Sequence, residues 1–182
     1  MGIRMKFTLK DGRIINIVPF NPEIPASEFL RFINTLIDED VYIVHNRRYV
    51  LSQEIKWKRD KLAAIKKNNC VGLAALYGRR VIASLEARRE PGNLSDNVSC
   101  GVAIAKDFRG QGLGEKMFRM LIALTKERLR PKNIYLTVIA DNQPALSLYK
   151  KVGFTKLIGR YPNWFKHKGK YLDSLTLLLV EK

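Results

Sequence analysis

The stretch RGQGLG, residues 109–114, joins an apolar run to a run with helical spacing inside CGVAIAKDFRGQGLGEKMFRMLIAL, residues 100–124. Such a strand-turn-helix forms an anion site, because the helix start presents unpaired N–H groups and partial positive charge. Its glycines let the backbone turn tightly and let a ligand approach closely, while Arg109 and Lys116 would add charge. The stretch therefore predicts either a phosphate-binding turn or a plain strand-to-helix connection.

Two well-known nucleotide motifs do not fit this stretch. The Walker loop needs Lys and then Ser or Thr after its last glycine, whereas Gly114 is followed by Glu115. The dinucleotide fingerprint needs G-x-G-x-x-G at the start of a parallel βαβ unit, whereas GQGLG follows a meander and has a shorter spacing. Both motifs are excluded.

Composition indicates a basic protein with one core. The chain has 182 residues, 46% of them hydrophobic, which suits a single domain over residues 1–182. Its formal net charge of +16 favours anionic partners such as nucleic acid, acidic proteins or polyphosphate cofactors, or reflects a basic or heat-adapted proteome. We find no apolar run of a membrane span's length, no secretory signal and no complete myristoylation motif at Gly2, so a cytoplasmic location is expected.

The cysteines and histidines do not have the spacing of a metal site. Cys70 and Cys100 stand alone in strand-like runs, which is typical of buried small apolar residues. His45 and His167 are isolated, so we expect both at the surface or in loops. No metal is expected.

Periodicity and turn signals predict the elements of the first half. Asp11-Gly12 indicates a hairpin, and helical spacing predicts a first helix over 26–37. Ser52 is the expected N-cap of a second helix. The next three runs predict an antiparallel meander: CVGLAALY, VIASLEARR and NVSCGVAIA.

In the second half, Pro131 ends the helix that follows the glycine stretch. NIYLTVIA has the continuous apolar character of a buried strand. A short helix is expected between an Asn142 cap and a Gly153 stop. Two final strands, FTKLIGR and YLDSLTLLLV, are expected to be joined by the loop YPNWFKHKGK.

Three linked motifs resemble the GNAT superfamily of N-acetyltransferases. RGQGLG resembles the family's Arg/Gln-x-x-Gly-x-Gly/Ala pyrophosphate loop, with Lys106 where Pro is common. LTVIADNQPALSLYKKVGF is similar to the family's L-x-V-x-x-x-N-x-x-A-x-x-L-Y-x-x-x-G-F, and GKYLDSLTLLLV resembles its G-x-Y-x-D last strand. The strong match covers residues 97–154.

The resemblance implies an α/β (α+β) fold, a mixed and mostly antiparallel sheet of about seven strands flanked by about four helices. NVSCGVAIA and NIYLTVIA would be its splayed parallel pair, with acetyl-CoA between them. The backbone of residues 102–104 would pair with the pantetheine arm, the amides of residues 109–114 would hold the pyrophosphate, and Asn142 would lie beside the arm. The implied cofactor-binding residues are Val102, Ala103, Ile104, Arg109, Gly110, Gln111, Gly112, Leu113, Gly114, Asn142 and Tyr149.

The resemblance also implies catalytic roles. The Ile104 N–H would stabilise the oxyanion, and Tyr149 would protonate the departing thiolate. From periodicity alone, Tyr149 is a core aromatic on a helix face. The acids that relatives carry would fall at Thr137 and Val98, where they are missing. Glu86 is therefore our first candidate for the general base.

Asp96 is the second candidate base. Alternatively both acids are surface charges, and the amine attacks through water or a backbone carbonyl without a dedicated base. The triplet Asp38-Glu39-Asp40 would suit a cationic acceptor or is solvated surface. YPNWF caps the cleft or packs on the sheet.

The implied function is transfer of acetyl from acetyl-CoA to a primary amine by direct attack. The amine acceptor, a small molecule or a protein, is left open, as is the choice between monomer and homodimer. One alternative is a non-catalytic CoA-binding module. Another is an RNA- or ribosome-associated protein, which the net charge would favour.

Overall fold

The computed structural model describes residues 4–44 and 46–180, so the expectations for Gly2 and His45 lie outside the described residues. Within that part the chain forms one eight-stranded sheet in the order β1-β2-β3-β4-β5-β6-β8-β7. The strands are β1 Met5–Thr8, β2 Ile14–Pro19, β3 Cys70–Tyr77, β4 Arg80–Arg89, β5 Asn97–Ile104, β6 Asn133–Ile139, β7 Phe154–His167 and β8 Lys170–Leu179. The helices are α1 Ala26–Asp38, α2 Leu51–Lys66, α3 Leu113–Leu129 and α4 Gln143–Val152. The expected mixed α/β fold is confirmed.

The two faces of the sheet carry different helices. Helices α3 and α4 cover one face, where Met117, Phe118 and Leu121 have no exposed surface. Helices α1 and α2 cover the other face beside β2, β3 and β4, around Phe20 and Phe29. No described helix is long and apolar enough to cross a membrane.

The parallel strands β5 and β6 pair over only part of their length. Their ladder runs from Asn97 opposite Asn133 to Cys100 opposite Leu136. Beyond that point β5 stays paired with β4, and β6 stays paired with β8, up to their ends at Ile104 and Ile139. The sheet therefore splits into a V that opens toward the residues before α3.

Most of the predicted helix ends and strand connections are confirmed. The β1–β2 hairpin and the antiparallel meander of β3, β4 and β5 form as expected. Helix α3 ends before Pro131, and Asn142 caps α4 by accepting the Ala145 N–H at 3.3 Å. Gly153 ends α4 at φ 107°.

The predicted N-cap at Ser52 is wrong by two residues. Helix α2 begins at Leu51, and Val50 is its N-cap. The Val50 N–H donates to Gln53 Oε1 at 3.0 Å, so the glutamine side chain supplies the cap. Ser52 lies inside the first turn.

The predicted loop over residues 161–170 is also wrong, because β7 continues through most of it to His167. Three register shifts absorb the irregular residues, and β7 is an edge strand, where Pro162 costs no ladder bond. Asp173 of β8 fixes the last bulge by accepting from Arg160 Nε at 2.8 Å and from the Asn163 N–H at 3.0 Å. A tight turn at Lys168-Gly169 closes the hairpin.

The cysteines and the described histidine lie in strands. Cys70 and Cys100 are buried and free, as expected. His167, expected at the surface or in a loop, is the last residue of β7, where its side chain is 16% exposed and its ring lies 4.9 Å from that of Tyr42.

Candidate active site

The glycine stretch turns the chain from β5 into α3 through backbone that other residues rarely adopt. Gly110 and Gly112 have φ of 72° and 84°, in the left-handed region that costs glycine least. A Cβ at Gly110 would meet no atom within 4 Å, so this glycine is required by conformation rather than by crowding. Helix α3 begins at Leu113, and its first N–H groups have no helical acceptors. The stretch thus presents an open helix N-terminus at the mouth of the V.

Gly114 has a different role, because it lets three elements meet. A Cβ there would lie 3.1 Å from Ile104 Cδ1 and 3.1 Å from Leu148 Cδ2. Ile104 ends β5, and Leu148 lies on α4. Gly114 therefore brings the start of α3 against both sides of the opening.

Arg109 is occupied within the protein. Its Nε donates to the Ile104 carbonyl oxygen at 2.7 Å, and its Nη2 pairs with Glu39 just past the end of α1. Its backbone N–H donates to the Lys106 carbonyl oxygen at 3.1 Å. Arg109 was expected to add charge and an amide to the anion site, but its amide and its guanidinium are both engaged within the chain. It holds the loop instead, which leaves the amides of residues 110–114 for an anion.

Gln111 carries an unmet hydrogen-bonding group inside this loop. Its Oε1 is buried and has no hydrogen-bond partner in the described structure. Buried polar groups are normally paired, so a bound molecule that brings a donor would satisfy this one.

The edge of β5 that faces the V also has free backbone groups. The Ala105 N–H donates to the Ile82 carbonyl oxygen of β4 at 2.9 Å. Because backbone groups alternate along an antiparallel ladder, Ala103 also directs its N–H and carbonyl toward β4, whereas Val102 directs both groups away from β4 into the V. The Ile104 N–H also faces the V, but its carbonyl is taken by Arg109. The expected backbone contact therefore fits Val102 and Ile104 but not Ala103, whose side chain lies on the face covered by α1 and α2.

Tyr149 lies beneath the V on the face covered by α3 and α4. It is 7% exposed, and its ring meets those of Phe118 and Phe154 edge-on at 5.4 and 6.3 Å. Burial, with a smaller contribution from Cys100, raises the pKa of its hydroxyl to about 12. The phenol therefore keeps its proton throughout the neutral range. Both interpretations from the sequence, core aromatic and proton donor, agree with this position.

Glu86 lies across the sheet from the point where the V opens. It is paired with Gly101 of β5, where an added Cβ would meet nothing within 4 Å. Its Oε2 lies 2.8 Å from Lys61 Nζ, and its side chain is 34% exposed. Burial alone would raise the pKa of Glu86, but Lys61 and, more weakly, Arg88 outweigh burial, so the pKa is lowered. Glu86 is an anion beside open space.

Asp96 lies away from the opening. It precedes β5 at the closed end of the V, and its carbonyl accepts the Asn133 N–H at 3.1 Å. Its carboxylate is 3.6 Å from Lys132 Nζ and is exposed. Asp96 is therefore separated from Ile104 by the length of β5, which argues against it as a base.

The acidic triplet after α1 ties elements together. Asp38 pairs with Arg48 at 2.7 Å, and Asp40 pairs with Lys168 at 3.2 Å. Glu39 is the partner of Arg109 described above. None of the three is an unpaired acid for a cationic acceptor. Asp38 and Asp40 are exposed, which agrees with the alternative of solvated surface.

A groove of about 510 Å³ lies on the sheet beside the V, on the face that carries Glu86. Its lining residues are Glu90, Leu94, Asn97, Tyr135, Thr137, Ile158, Tyr161, Trp164 and Thr176. The Tyr135 hydroxyl donates to Glu90 Oε1 at 2.7 Å, and Trp164 is 70% exposed. Sequence reasoning missed Glu90 and Tyr135, although the alternation in NIYLTVIA turns Tyr135 and Thr137 to one face.

This geometry suits an acyltransferase, because the V-shaped gap has room for an extended chain and the amide-lined turn can bind an anion. Residues 36–154 match the acetyltransferase (GNAT) family, and the chain belongs to that family. It is an acetyl-CoA-dependent N-acetyltransferase, and nothing in the fold or the comparisons favours a non-catalytic module.

Known proteins agree with this membership. The chain is 30% identical over 81 residues to L-amino acid N-acetyltransferase AaaT of Escherichia coli, covering 44% of this chain and about half, 49%, of that relative. It is 26% identical to N-alpha-acetyltransferase 30 of Schizosaccharomyces pombe, covering 91% of this chain and 98% of that protein. The yncA protein of Salmonella typhimurium, solved with its cofactor acetyl-CoA, has the same fold, with a TM-score of 0.77, 17% identity and coverage of 91% and 92%.

Proposed function

We propose that the protein acetylates the α-amino group of an amino acid or of a peptide N-terminus. The observation that carries this proposal is that Glu86, where the V opens, and the aromatic groove lie on the same face of the sheet. The relatives from Escherichia coli and Schizosaccharomyces pombe are named for an L-amino acid and an N-alpha substrate, which supports the same acceptor class.

Acetyl-CoA fits the residues present. The amides of Gly110, Gln111, Gly112, Leu113 and Gly114 would hold its pyrophosphate at the start of α3. Val102 and Ile104 would pair with its arm, and Asn142 would lie at the arm's edge. The cofactor supplies the activated acetyl group, and the chain supplies its position.

The residues around the V have complementary roles. The Ile104 N–H stabilises the oxyanion that forms at the carbonyl. Glu86 accepts a proton from the attacking amine, directly or through water, and Tyr149 donates a proton to the departing sulfur. No covalent intermediate on the chain is part of the proposal.

The groove would hold the acceptor's side chain. Its walls are the rings of Tyr135, Tyr161 and Trp164, which suit an apolar or aromatic residue next to the amine. Thr137 and Thr176 line it near the V and offer hydroxyls to the acceptor backbone. An amine attached to a bulky apolar side chain is therefore the preferred acceptor.

Thiol release from acetyl-CoA, measured with peptides and free amino acids that differ only in the first residue, tests this preference. We expect Leu, Phe or Trp first residues to give higher kcat/KM than Ser or Asp. Trp164→Ala should raise the acceptor KM at least fivefold, whereas Tyr171→Ala, which removes an exposed ring outside the groove, should leave it unchanged. Turnover of polyamines alone would contradict the acceptor class.

The proposal also includes the domain organisation and the cellular location of the protein. All eight strands in the described part of the chain form one sheet, which supports a single domain over residues 1–182. The free thiols of Cys70 and Cys100 support a cytoplasmic location, because reducing compartments keep cysteines unpaired.

A further inference from the structure

Lys61 of α2 is a lysine almost without solvent contact. Its side chain is 1% exposed, and its Nζ lies 2.8 Å from Glu86 Oε2. The ammonium also lies 4.7 Å from the ring centre of Phe20 and 4.6 Å from that of Trp57. Two aromatic faces and the Glu86 carboxylate therefore lie against this cation, and the buried Glu54 of the same helix also interacts with its charge.

The backbone beneath Lys61 makes room for its side chain. Gly72 of β3 lies between α2 and Glu86 and is paired with Glu86 across the ladder. A Cβ at Gly72 would lie 3.2 Å from Lys61 Cε and 3.0 Å from Phe20 Cβ. The absence of a side chain at Gly72 lets Lys61 cross β3 and reach the next strand.

Stability alone does not account for this ion pair. Burying two charges costs several kcal/mol per ion, and well-packed apolar residues of similar volume often serve as well or better. The two partners also differ in exposure, since Lys61 is 1% exposed and Glu86 is 34% exposed. The carboxylate thus has a sealed side that faces the lysine and an open side toward Gly101 and the V.

We propose that Lys61 is a positioning residue for acetyl transfer, which holds the Glu86 carboxylate ionised and directed at the site of amine attack. The proposal rests on the role of Glu86 in the proposed function. Lys61 itself touches neither the acceptor nor the cofactor in this scheme. It acts through charge and through the direction it imposes on one carboxylate oxygen.

Other groups around Glu86 do not replace Lys61. Arg88, two residues along β4, lowers the pKa of Glu86 by less than Lys61 does. Cys70 of β3 lies on the same face as Glu86, and Cys100 of β5 lies on the opposite face close enough to interact with its charge. Burial raises the pKa of both thiols, which keeps them neutral. Glu54, earlier on α2, is an acid. Without Lys61, burial would therefore raise the pKa of Glu86.

The test is the pH dependence of kcat/KM in Lys61→Met, with Lys56→Met as the control. Lys56 lies on the same helix, is exposed and undergoes the same substitution. For Lys61→Met we expect the midpoint of the acidic limb, where kcat/KM falls to half, to shift by at least one pH unit to higher pH. The Kd for acetyl-CoA should be unchanged. The control should keep the wild-type profile. A folded Lys61→Met that binds acetyl-CoA and keeps the wild-type limb would overturn the proposal.

The double variant Lys61→Met/Glu86→Gln gives an answer even if Lys61→Met does not fold, because it removes both members of the ion pair together. If Lys61 acts only through Glu86, the double variant should match Glu86→Gln in kcat/KM within twofold. A further loss beyond fivefold would mean that Lys61 acts by another route. Full activity of Glu86→Gln would refute this inference while acetyl transfer stands, whereas a wild type that releases no thiol would refute the proposed function itself.

Discussion

Gly114 of α3 packs so closely against Leu148 of α4 that a methyl group added at Gly114 would lie 3.1 Å from Leu148 Cδ2. In Gly114→Ala, overpacking of about 1–3 kcal/mol is partly offset by roughly 1 kcal/mol of helix propensity. The start of α3 should move away from α4 and widen the V. We expect acetyl-CoA affinity to fall at least tenfold by isothermal titration, with only a modest loss of Tm. Unchanged affinity would show that the spacing is not critical.

Gly110→Ala separates backbone conformation from general stability. Gly110 and Gly78 both have positive φ, 72° and 59°, and neither has an atom within 4 Å of an added Cβ. Both alanine variants should lose about 1 kcal/mol of unfolding free energy. Only Gly110→Ala should also weaken acetyl-CoA binding, because its amide lies in the anion turn. Equal binding by the two variants would contradict the assignment of the turn.

Tyr149→Phe tests the proton donor while keeping the ring. The contacts with Phe118 and Phe154 are aromatic and do not need the hydroxyl. We expect kcat to fall about 10²-fold, with an unchanged acetyl-CoA Kd. Because the pKa of Tyr149 is raised to about 12, its ionisation should not limit the wild-type rate below pH 10. Tyr171→Phe, at an exposed ring of β8, is the control. A wild-type kcat in Tyr149→Phe would leave this residue a core aromatic.

Glu54→Gln should remove a pH-dependent loss of unfolding free energy that arises in α2. Burial raises the pKa of Glu54 from 4.5 to about 7, and Lys61 lowers it by less. With a folded pKa above the unfolded one, the stabilisation is complete below pH 4.5 and is lost as the pH rises through 7. The variant should therefore gain up to roughly 3 kcal/mol on the wild type over that window. Chemical denaturation of both proteins at several pH values measures this gain in unfolding free energy. Glu127→Gln, on the exposed surface of α3, is the control. A difference in unfolding free energy between Glu54→Gln and wild type that does not change with pH would contradict the prediction.

Local patterns were enough for most of the fold. Turn glycines, caps and periodicity are short-range signals, so the β1–β2 hairpin, the meander and the ends of α4 follow from neighbouring residues. The wrong predictions depended on distant partners. β7 continues through Pro162 because Asp173, ten residues beyond Asn163, fixes its bulge. A propensity argument contains no such contact.

The same limit applies to the candidate site. The glycine turn was visible in the sequence, but the engagement of Arg109 by Glu39 joins residues 70 apart. Lys61 was missed because nothing local shows that a lysine crosses β3 over Gly72 to reach Glu86. The groove was missed in part because β6, β7 and β8 come together only in the sheet.

The short ladder from Asn97–Asn133 to Cys100–Leu136 is the one strand pairing, in the described part of the chain, that joins the half sheet β1–β5 to the half sheet β6–β8. A molecule bound across the V reinforces that seam, and its binding free energy adds to the resistance against unfolding. Acetyl-CoA bound in the V should therefore protect the whole chain from proteolysis, because the two half sheets then separate less often.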